Sequence, residues 1–212
     1  MKKLFFLLCL ALGMVSCEKD PNLDDLSSQL VVYTDYDKNA AFDSFQTYYL
    51  PDSILLLNSS KNKTYWSDEN AQAIIQEVAN SLNERGYVRI TDPQFKSDAD
   101  LGVQVSYLAQ QTEVITGNYP GNWWNCAYWG SYWGGWYYPY PLTYSYNTNA
   151  LVMELLNLTN PTSSLQSSNK LPVIWYANAS GYKYGNSDYN LDLLLDAVDQ
   201  AFEQSSYISA NN

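Results

Sequence analysis

Acidic side chains near position 35 have a spacing that could bind a metal ion. Asp35, Asp37 and Asn39 follow the order of the first three ligands in a calcium loop. Such a loop also needs glycine at position 40 and glutamate at position 46, where this chain has Ala40 and Gln46. We therefore expect Asp35 and Asp37 to organise the turn that follows them, and we expect no metal site.

Two other arrangements could support catalysis. Asp98 and Asp100 could act as the paired carboxylates of a glycosidase, but a position at the entry of a strand favours a structural role. Cys126 has no nearby basic residue in the sequence to activate its thiol. The chain contains no histidine, which excludes every triad that depends on imidazole. We expect no enzymatic activity and no cofactor.

The last amphipathic segment carries four carboxylates on one predicted helix face: Asp192, Asp196, Asp199 and Glu203. Like charges at this spacing weaken a helix by a few tenths of a kcal/mol per pair. A solvated face is the simplest interpretation. A basic partner protein or loosely bound divalent cations are the alternatives.

An aromatic loop is predicted over residues 117–148. Thirteen of the 28 residues between Tyr119 and Tyr146 are Trp or Tyr, and no charged residue occurs between Glu113 and Glu154. Repeated glycine and proline exclude a regular helix. The candidate binding residues are Trp123, Trp124, Trp129, Trp133, Trp136, Tyr137 and Tyr138.

Four interpretations of this aromatic loop remain open, because a large apolar patch is not simply left in water. It could fold back over the sheet as a lid. It could contact another protein, where Trp and Tyr dominate the binding energy. Its rings could stack on sugars, with Asn122 and Asn125 supplying hydrogen bonds. It could also insert at a membrane interface.

The first 16 residues are predicted to be a lipoprotein signal peptide. A basic start at Lys2 and Lys3 precedes an apolar run from Leu4 to Val15, and Cys17 follows. Cysteine at this place is the residue that receives lipid in bacterial lipoproteins. The run is too short to span a bilayer, so lipid on Cys17 is the expected anchor.

The residues after Cys17 predict a tether and an envelope location. Residues 17–28 are polar and acidic, as flexible linkers are. The formal net charge of −11 disfavours nucleic acid and anionic head groups. We expect an outer-membrane lipoprotein on the periplasmic or the cell-surface face, whose possible partners are an envelope protein or a glycan.

Residues 29–212 read as one domain with seven strands and two helices. One predicted helix is capped by Ser67 and stopped by Gly86, and the other covers about residues 188–205. The apolar stripe of the first helix consists of Ala71, Ile74, Ile75, Val78 and Leu82. The predicted strands are residues 30–36, 45–50, 54–57, 87–91, 100–108, 150–158 and 171–179, and in the strand 100–108 the alternate residues Leu101, Val103, Val105 and Tyr107 face one side. The pattern predicts an α+β fold, a two-layer sandwich of a largely antiparallel sheet with two amphipathic helices on one face.

A series of short motifs supports this assignment from another direction. In chain order they are Asp35-Tyr36-Asp37, Phe42, Phe45-Gln46-Thr47-Tyr48, Arg85-Gly86-Tyr87, Ala99-Asp100-Leu101, Tyr107, Leu151-Val152-Met153-Glu154-Leu155, Val173-Ile174-Trp175, Ala197-Val198 and Phe202. Their order resembles an uncharacterised bacterial lipoprotein family, domain of unknown function 4136. The resemblance covers about residues 30–208 and implies a fold and an envelope location, but no reaction.

The chain departs from that family pattern at several polar positions. Thr148-Asn149-Ala150 and Asn157 occur where the family often has Gly-Thr and Asp, and Tyr176 occurs where arginine is frequent. An activity that used those residues would be absent here. We expect a non-enzymatic protein that binds or scaffolds at a membrane face through the aromatic loop, with a surface glycan-binding lipoprotein as the alternative.

Overall fold

The fold is built on a ten-stranded sheet whose central strands follow the order β1 (Val31–Tyr36), β12 (Asn169–Ser180), β10 (Ala150–Asn157), β6 (Leu101–Leu108), β2 (Thr47–Tyr49) and β5 (Val88–Ile90). We analysed a computed structural model, which describes residues 30–57, 64–108, 113–117, 129, 133–146, 149–163, 169–181 and 187–210. The predicted signal peptide, Cys17, the tether and Cys126 lie outside these residues. The α+β class predicted from the sequence is confirmed.

The strands of the sheet are short except at its centre. Their bounds are β1 Val31–Tyr36, β2 Thr47–Tyr49, β3 Ile54–Leu57, β4 Thr64–Trp66, β5 Val88–Ile90, β6 Leu101–Leu108, β8 Trp133–Tyr137, β10 Ala150–Asn157, β11 Thr162–Ser163 and β12 Asn169–Ser180. A separate antiparallel pair consists of β7 (Glu113–Gly117) and β9 (Leu142–Tyr146). Strands β8 and β9 therefore add regular structure to residues 117–148, which were predicted as a loop, and β7 ends at the first of these residues.

The centre of the sheet is antiparallel, as predicted. β12 pairs antiparallel with both β1 and β10, and β10 pairs antiparallel with β6. Parallel pairs occur towards the sides, where β2 and β3 each run parallel to β6 and β8 runs parallel to β12. The two-residue strand β11 pairs with the start of β12, in the connection between the predicted strands 150–158 and 171–179.

Two helices cover one face of the sheet. The first, α1, is Glu69–Glu84, and the second, α2, is Ser187–Glu203. The predicted cap Ser67 is wrong by one residue, because the carboxylate of Asp68 accepts the backbone N–H of Ala71 at 3.0 Å. At the other end Gly86 has a φ of 89°, which lets the chain turn out of the helix.

The helices pack on alternate residues of the three long strands, as side-chain alternation requires. The apolar stripe predicted for α1 is buried, and Phe202 of α2 is buried against Trp175 of β12. The sheet contributes Leu101, Val103, Val105, Leu151, Met153, Leu155, Trp175, Ala177 and Ala179 to this core. No helix in the described part of the chain is long and apolar enough to cross a membrane.

The opposite face of the sheet is also covered, by aromatic residues of the 117–148 segment. Trp129, Trp136 and Tyr138 are buried in a second core with residues of β6, β10 and β12. A register shift between Leu155 and Leu156 changes which residues of β12 face each core. Both faces of the central strands are therefore shielded from solvent.

Candidate functional site

A row of polar residues crosses the face of the sheet that lies beneath Trp129, Trp136 and Tyr138 of the aromatic segment (residues 117–148). On β10, Glu154 lies opposite Gln104 of β6 and, on its other side, opposite Tyr176 of β12. Glu154 and Gln104 are each only 1 % exposed. Acidic and amide side chains are rarely this deeply buried unless other groups bond to them. We call Gln104, Glu154 and Tyr176 the polar row.

Trp129 attaches the aromatic segment to one end of the polar row. Its indole N–H donates to Oε1 of Gln104 at 3.0 Å, and its ring meets that of Tyr49 edge-on, with 6.1 Å between centroids. Gln104 in turn donates from Nε2 to the carbonyl oxygen of Val105 and to Oγ of Ser106. Both ends of the Gln104 amide are therefore bonded, which fixes the indole over β6.

Tyr138 makes the second attachment, at the centre of the polar row. Its hydroxyl donates to Oε1 of Glu154, and its ring lies edge-on to the rings of Tyr140 and Tyr176, with 5.9 Å between centroids in each pair. The preceding strand β8 pairs with β12, where Trp136 is opposite Leu171. Backbone pairing and the hydroxyl bond together hold this part of the aromatic segment against the sheet.

The Glu154 carboxyl lies where ionisation is unfavourable. Burial raises its pKa from 4.5 to about 7, while the hydrogen bond from Tyr138 and the nearby Trp136 side chain lower the pKa by less. No cation is among the groups that shift this pKa. Near neutral pH the carboxyl therefore exists in both protonation states, although it is in the interior of the protein.

Asn178 extends the buried polar surface into the neighbouring row. It lies opposite Tyr33 of β1 and Val152 of β10 and is 0 % exposed. Within the described residues, neither Nδ2 nor Oδ1 of its amide has a hydrogen-bond partner, and the same holds for the Tyr140 hydroxyl. An unpaired buried amide costs about 1 to 3 kcal/mol. Covering this face of the sheet therefore has a free-energy cost, because these polar groups are removed from water without gaining a partner among the described residues.

The structure divides the residues predicted to bind into two groups. Trp129, Trp136 and Tyr138 are buried, with 2 %, 3 % and 0 % of their surfaces exposed, and Tyr137 is half-buried. The backbone of Trp133 belongs to β8, whereas the side chain of Trp133 and the whole of Trp123 and Trp124 lie outside what the structure describes. The lid interpretation therefore applies to the three buried residues.

The acidic clusters identified in the sequence have structural partners. Asp37 Oδ1 accepts the backbone N–H of Asn39 at 2.9 Å, which is the turn expected there. Asp100 Oδ2 accepts the backbone N–H groups of Gln46 and Thr47 and the Thr47 hydroxyl, within 2.8 to 3.0 Å. Among the described residues no three Asp, Glu, Cys or His side chains form a group that could hold a metal ion.

The acidic face of α2 borders an open groove of about 460 Å³. Asp196, Asp199 and Glu203 line it together with Leu30, which precedes β1. Burial raises the pKa of Asp199, and the Glu77 carboxyl of α1 raises it further through a hydrogen bond and like charge. The acidic face of α2, which the sequence predicts to be solvated, therefore has the Glu77 carboxyl of α1 beside part of it.

The polar row and Asn178 were not predicted from the sequence as parts of a site. A signal for their burial is present, since β10 and the middle of β12 are almost continuously apolar on both faces, which is typical of strands covered on two sides. Glu154 is the only charged residue of β10. A single acid in such a strand indicates a buried carboxyl.

Comparison with known proteins supports the fold. The solved structure of a DUF4136 family protein from Bacteroides thetaiotaomicron is 39 % identical, with a TM-score of 0.71, covering 87 % of this chain and 99 % of that one. A PelC dodecamer from Paraburkholderia phytofirmans is 14 % identical, with a TM-score of 0.39, covering 86 % of this chain and 99 % of that one. A DUF330 protein from Xanthomonas campestris is 9 % identical, with a TM-score of 0.31, and the coverages are 84 % and 90 %.

The TM-scores of the PelC and DUF330 structures are too low to support the fold assignment. Among curated proteins, none matches this chain. The family model described as "Domain of unknown function (DUF4136)" matches residues 32–205, nearly the whole predicted domain. This match and the 39 % identity to a solved member agree with the motif order seen in the sequence. The chain belongs to the DUF4136 family.

Proposed function

We propose that this protein is a lipid-anchored protein of the bacterial envelope that binds a partner protein, without catalysis, through its aromatic segment. The observation that carries the proposal is the attachment of this segment to the sheet. The Trp129 bond to Gln104 and the Tyr138 bond to Glu154 hold two points of it in place. Two points of the proposed contact segment are therefore fixed before a partner binds.

Attachment matters because ordering a loop opposes binding. Immobilising flexible side chains costs about 0.5 to 1.5 kcal/mol each, so a segment that is already held in place binds more tightly than a loose one. Trp and Tyr are also the side chains that most often dominate protein interfaces. A charge-free segment with thirteen of them in 28 residues has the composition of such an interface.

The envelope part of the proposal rests on the amino terminus. Cys17 follows a basic start and an apolar run, as the lipidated cysteine of a lipoprotein does. The acidic residues 17–28 would form a tether between lipid and domain. With Cys17 in the outer membrane, the aromatic segment would meet proteins of that membrane or of the adjacent space.

The non-enzymatic part rests on what the site offers to a substrate. Glu154 has the raised pKa that is common at active sites. However, it is 1 % exposed and covered by Tyr138, so a substrate would have to displace the aromatic segment to reach it. The chain has no histidine to act beside it. The contacts of Glu154 therefore support a role in holding the segment and not a role in catalysis.

Glycan binding is the competing function. Flat sugar rings would stack on tryptophan faces, and five tryptophans were candidates for this. The faces of Trp129 and Trp136 are packed inside the protein, which leaves fewer rings for a sugar. We therefore favour a protein partner, and protease treatment distinguishes it from a glycan.

The test measures binding of the mature chain to outer-membrane vesicles from cells that lack the gene. The chain carries Cys17→Ser, so that lipid does not contribute, and vesicles are used untreated or after protease digestion. We expect saturable binding that protease abolishes. The double variant Trp123→Ala, Trp124→Ala should weaken binding at least about tenfold, as the loss of interface tryptophans does.

The matched control is Phe95→Ala, which removes a 52 % exposed aromatic side chain outside the aromatic segment. This variant should bind as the unsubstituted chain does. Binding that survives protease and is reproduced on isolated envelope polysaccharide would support the glycan alternative. Absence of binding, or equal loss in the Phe95 variant, would contradict a role of the aromatic segment.

A further inference from the structure

Glu154 combines central position, burial and a direct bond to the aromatic segment. It lies at the centre of the sheet, it is buried, and it makes a direct hydrogen bond to the aromatic segment through Tyr138. Replacing the carboxyl by an amide would preserve a hydrogen-bond acceptor. A permanently structural bond therefore does not need an ionisable group at this position.

We propose that Glu154 and Tyr138 form a proton-operated latch. While the carboxyl is protonated, residues 133–140 stay closed over the polar row, and ionisation of the carboxyl favours a state in which these residues separate from the sheet. The proposal concerns this movement alone and does not depend on what the segment binds.

Among the residues that the structure describes, no cationic group faces Glu154 to stabilise its charge. The groups facing it are the Gln104 amide from β6, the Tyr176 ring from β12, and Trp136 and Tyr138 from β8 and the residues after it. Further out, the carboxyl of Asp35 on β1 lies opposite Tyr176, and Tyr140 is also nearby. Asp35 carries the same charge as ionised Glu154, so it adds no relief.

The covered face also contains groups that would gain from contact with water. Both polar atoms of the Asn178 amide and the Tyr140 hydroxyl lack partners among the described residues. Opening of residues 133–140 would allow water to reach groups that the closed arrangement leaves unpaired. The closed state is opposed by these groups at every pH and additionally by the Glu154 charge at higher pH.

Burial of apolar side chains favours the closed state. Trp136 and Tyr138 bury large rings when the segment is closed, so the closed state is expected to dominate at low pH. The pKa of Glu154, raised from 4.5 to about 7, sets the size of the effect. Full ionisation would shift the closed-to-open ratio by up to roughly 300-fold, at tenfold per pKa unit.

Amide hydrogen exchange in the mature Cys17→Ser chain tests the latch, because it detects opening even when the open state is a minor one. Residues 133–140 are compared with α1, which lies on the other face. At pH 5, only half a unit above the 4.5 of a water-exposed carboxyl, we expect the unsubstituted chain and Glu154→Gln to exchange residues 133–140 at rates within about fivefold of each other. At pH 8 residues 133–140 should exchange faster in the unsubstituted chain than in Glu154→Gln at the same pH, by up to roughly 300-fold.

The latch also requires that the opening be local. Protection of residues 133–140 should be lower than protection of α1 in the unsubstituted chain at pH 8. Equal protection of the two regions at every pH would mean that only global unfolding exposes the segment, and it would overturn the proposal. The proposal would also be overturned if, at each of the two pH values, residues 133–140 exchanged at the same rate in Glu154→Gln as in the unsubstituted chain.

Two further variants keep the test decisive if Glu154→Gln folds poorly. Tyr138→Phe keeps the ring and removes the hydroxyl, so residues 133–140 should exchange faster even at pH 5, and unchanged exchange would contradict the latch. Asp199→Asn replaces another acid of raised pKa, on the helix face, and serves as the control. It should leave exchange of residues 133–140 unchanged, and an effect as large as that of Glu154→Gln would overturn the assignment to Glu154.

Discussion

The indole of Trp129 lies in the space that a side chain at position 102 would need. A Cβ atom built on Gly102 would be 2.6 Å from Cη2 and 2.8 Å from Cζ3 of Trp129. Real Cβ atoms do not approach other atoms this closely, so glycine permits the ring to rest on β6. Gly102 and Gln104 together thus define the position of Trp129 on the sheet.

We predict that Gly102→Ala destabilises the protein by about 1 to 3 kcal/mol, the usual cost of inserting volume into a packed core. The added methyl group must push the Trp129 ring away from β6 and strain its bond to Gln104. Urea unfolding measures the loss, and near-ultraviolet circular dichroism reports the environment of the ring. The helix face should remain intact, since Leu101 and Val103 point the other way.

A double-mutant cycle provides the control. In a Trp129→Ala background the clash partner is gone, so adding Gly102→Ala should cost much less than it does in the unsubstituted chain. Equal costs in the two backgrounds would show that the alanine acts on the strand itself, and the proposed contact between residues 102 and 129 would not explain the effect.

The pH dependence of stability should show the burial of Glu154. Its pKa is about 7 in the folded protein and near 4.5 when unfolded, so the unfolded state releases this proton first as pH rises. Folding stability should therefore fall between about pH 4.5 and pH 7 and become constant above that range. The shift corresponds to roughly 3 kcal/mol.

Urea unfolding of the unsubstituted chain and Glu154→Gln, at half-unit steps from pH 4 to pH 8.5, measures this effect. Between about pH 4.5 and pH 7 the unsubstituted chain should lose stability relative to Glu154→Gln, because only the unsubstituted chain has a carboxyl that ionises at this position. A difference that stays constant with pH would mean that the carboxyl ionises in the fold as easily as in water.

Asp100 should be more important for stability than its neighbour Asp98. Its carboxylate accepts three hydrogen bonds that join the start of β6 to β2, whereas Asp98 is exposed. Asp100→Ala leaves the N–H groups of Gln46 and Thr47 without this acceptor and should cost about 1 to 3 kcal/mol. Thermal unfolding of Asp98→Ala, expected within about 0.5 kcal/mol of the unsubstituted chain, is the matched control.

The membrane association of the protein should depend on Cys17. Full-length protein expressed in a Gram-negative host should fractionate with membranes, and Cys17→Ser should move it to the soluble periplasmic fraction, because the acyl chains supply the anchoring free energy. Mass spectrometry of the mature amino terminus reports the lipid directly. An unmodified Cys17 in membrane-bound protein would contradict lipid anchoring.

Periodicity was sufficient to predict the helix-facing half of the fold. The alternation of Leu101, Val103 and Val105 and the stripe of α1 follow from local sequence, and the structure confirms both. The cap of α1 was displaced by one residue, since Ser67 and Asp68 are both good capping residues. Local chemistry does not choose between two adjacent candidates.

The second covered face could not be predicted with the same rules. Gln104 and Ser106 occupy the alternate positions of β6, and polar residues at such positions indicate solvent. Their burial depends on the distant residues Trp129 and Tyr138, a tertiary contact that alternation does not encode. The aromatic composition of residues 117–148 showed that the segment needs a partner surface, but not that part of the partner is its own sheet.

Collisional quenching of tryptophan fluorescence tests the central proposal most directly. The mature Cys17→Ser chain is titrated with acrylamide, alone and with a saturating amount of the outer-membrane vesicles. Part of the emission should resist quenching throughout, since Trp129, Trp136 and Trp175 are buried. The proposal predicts that the remaining, quenchable emission becomes protected when vesicles are added. Quenching that is identical with and without vesicles, although the protein sediments with them, would show that the aromatic segment is not the contact surface.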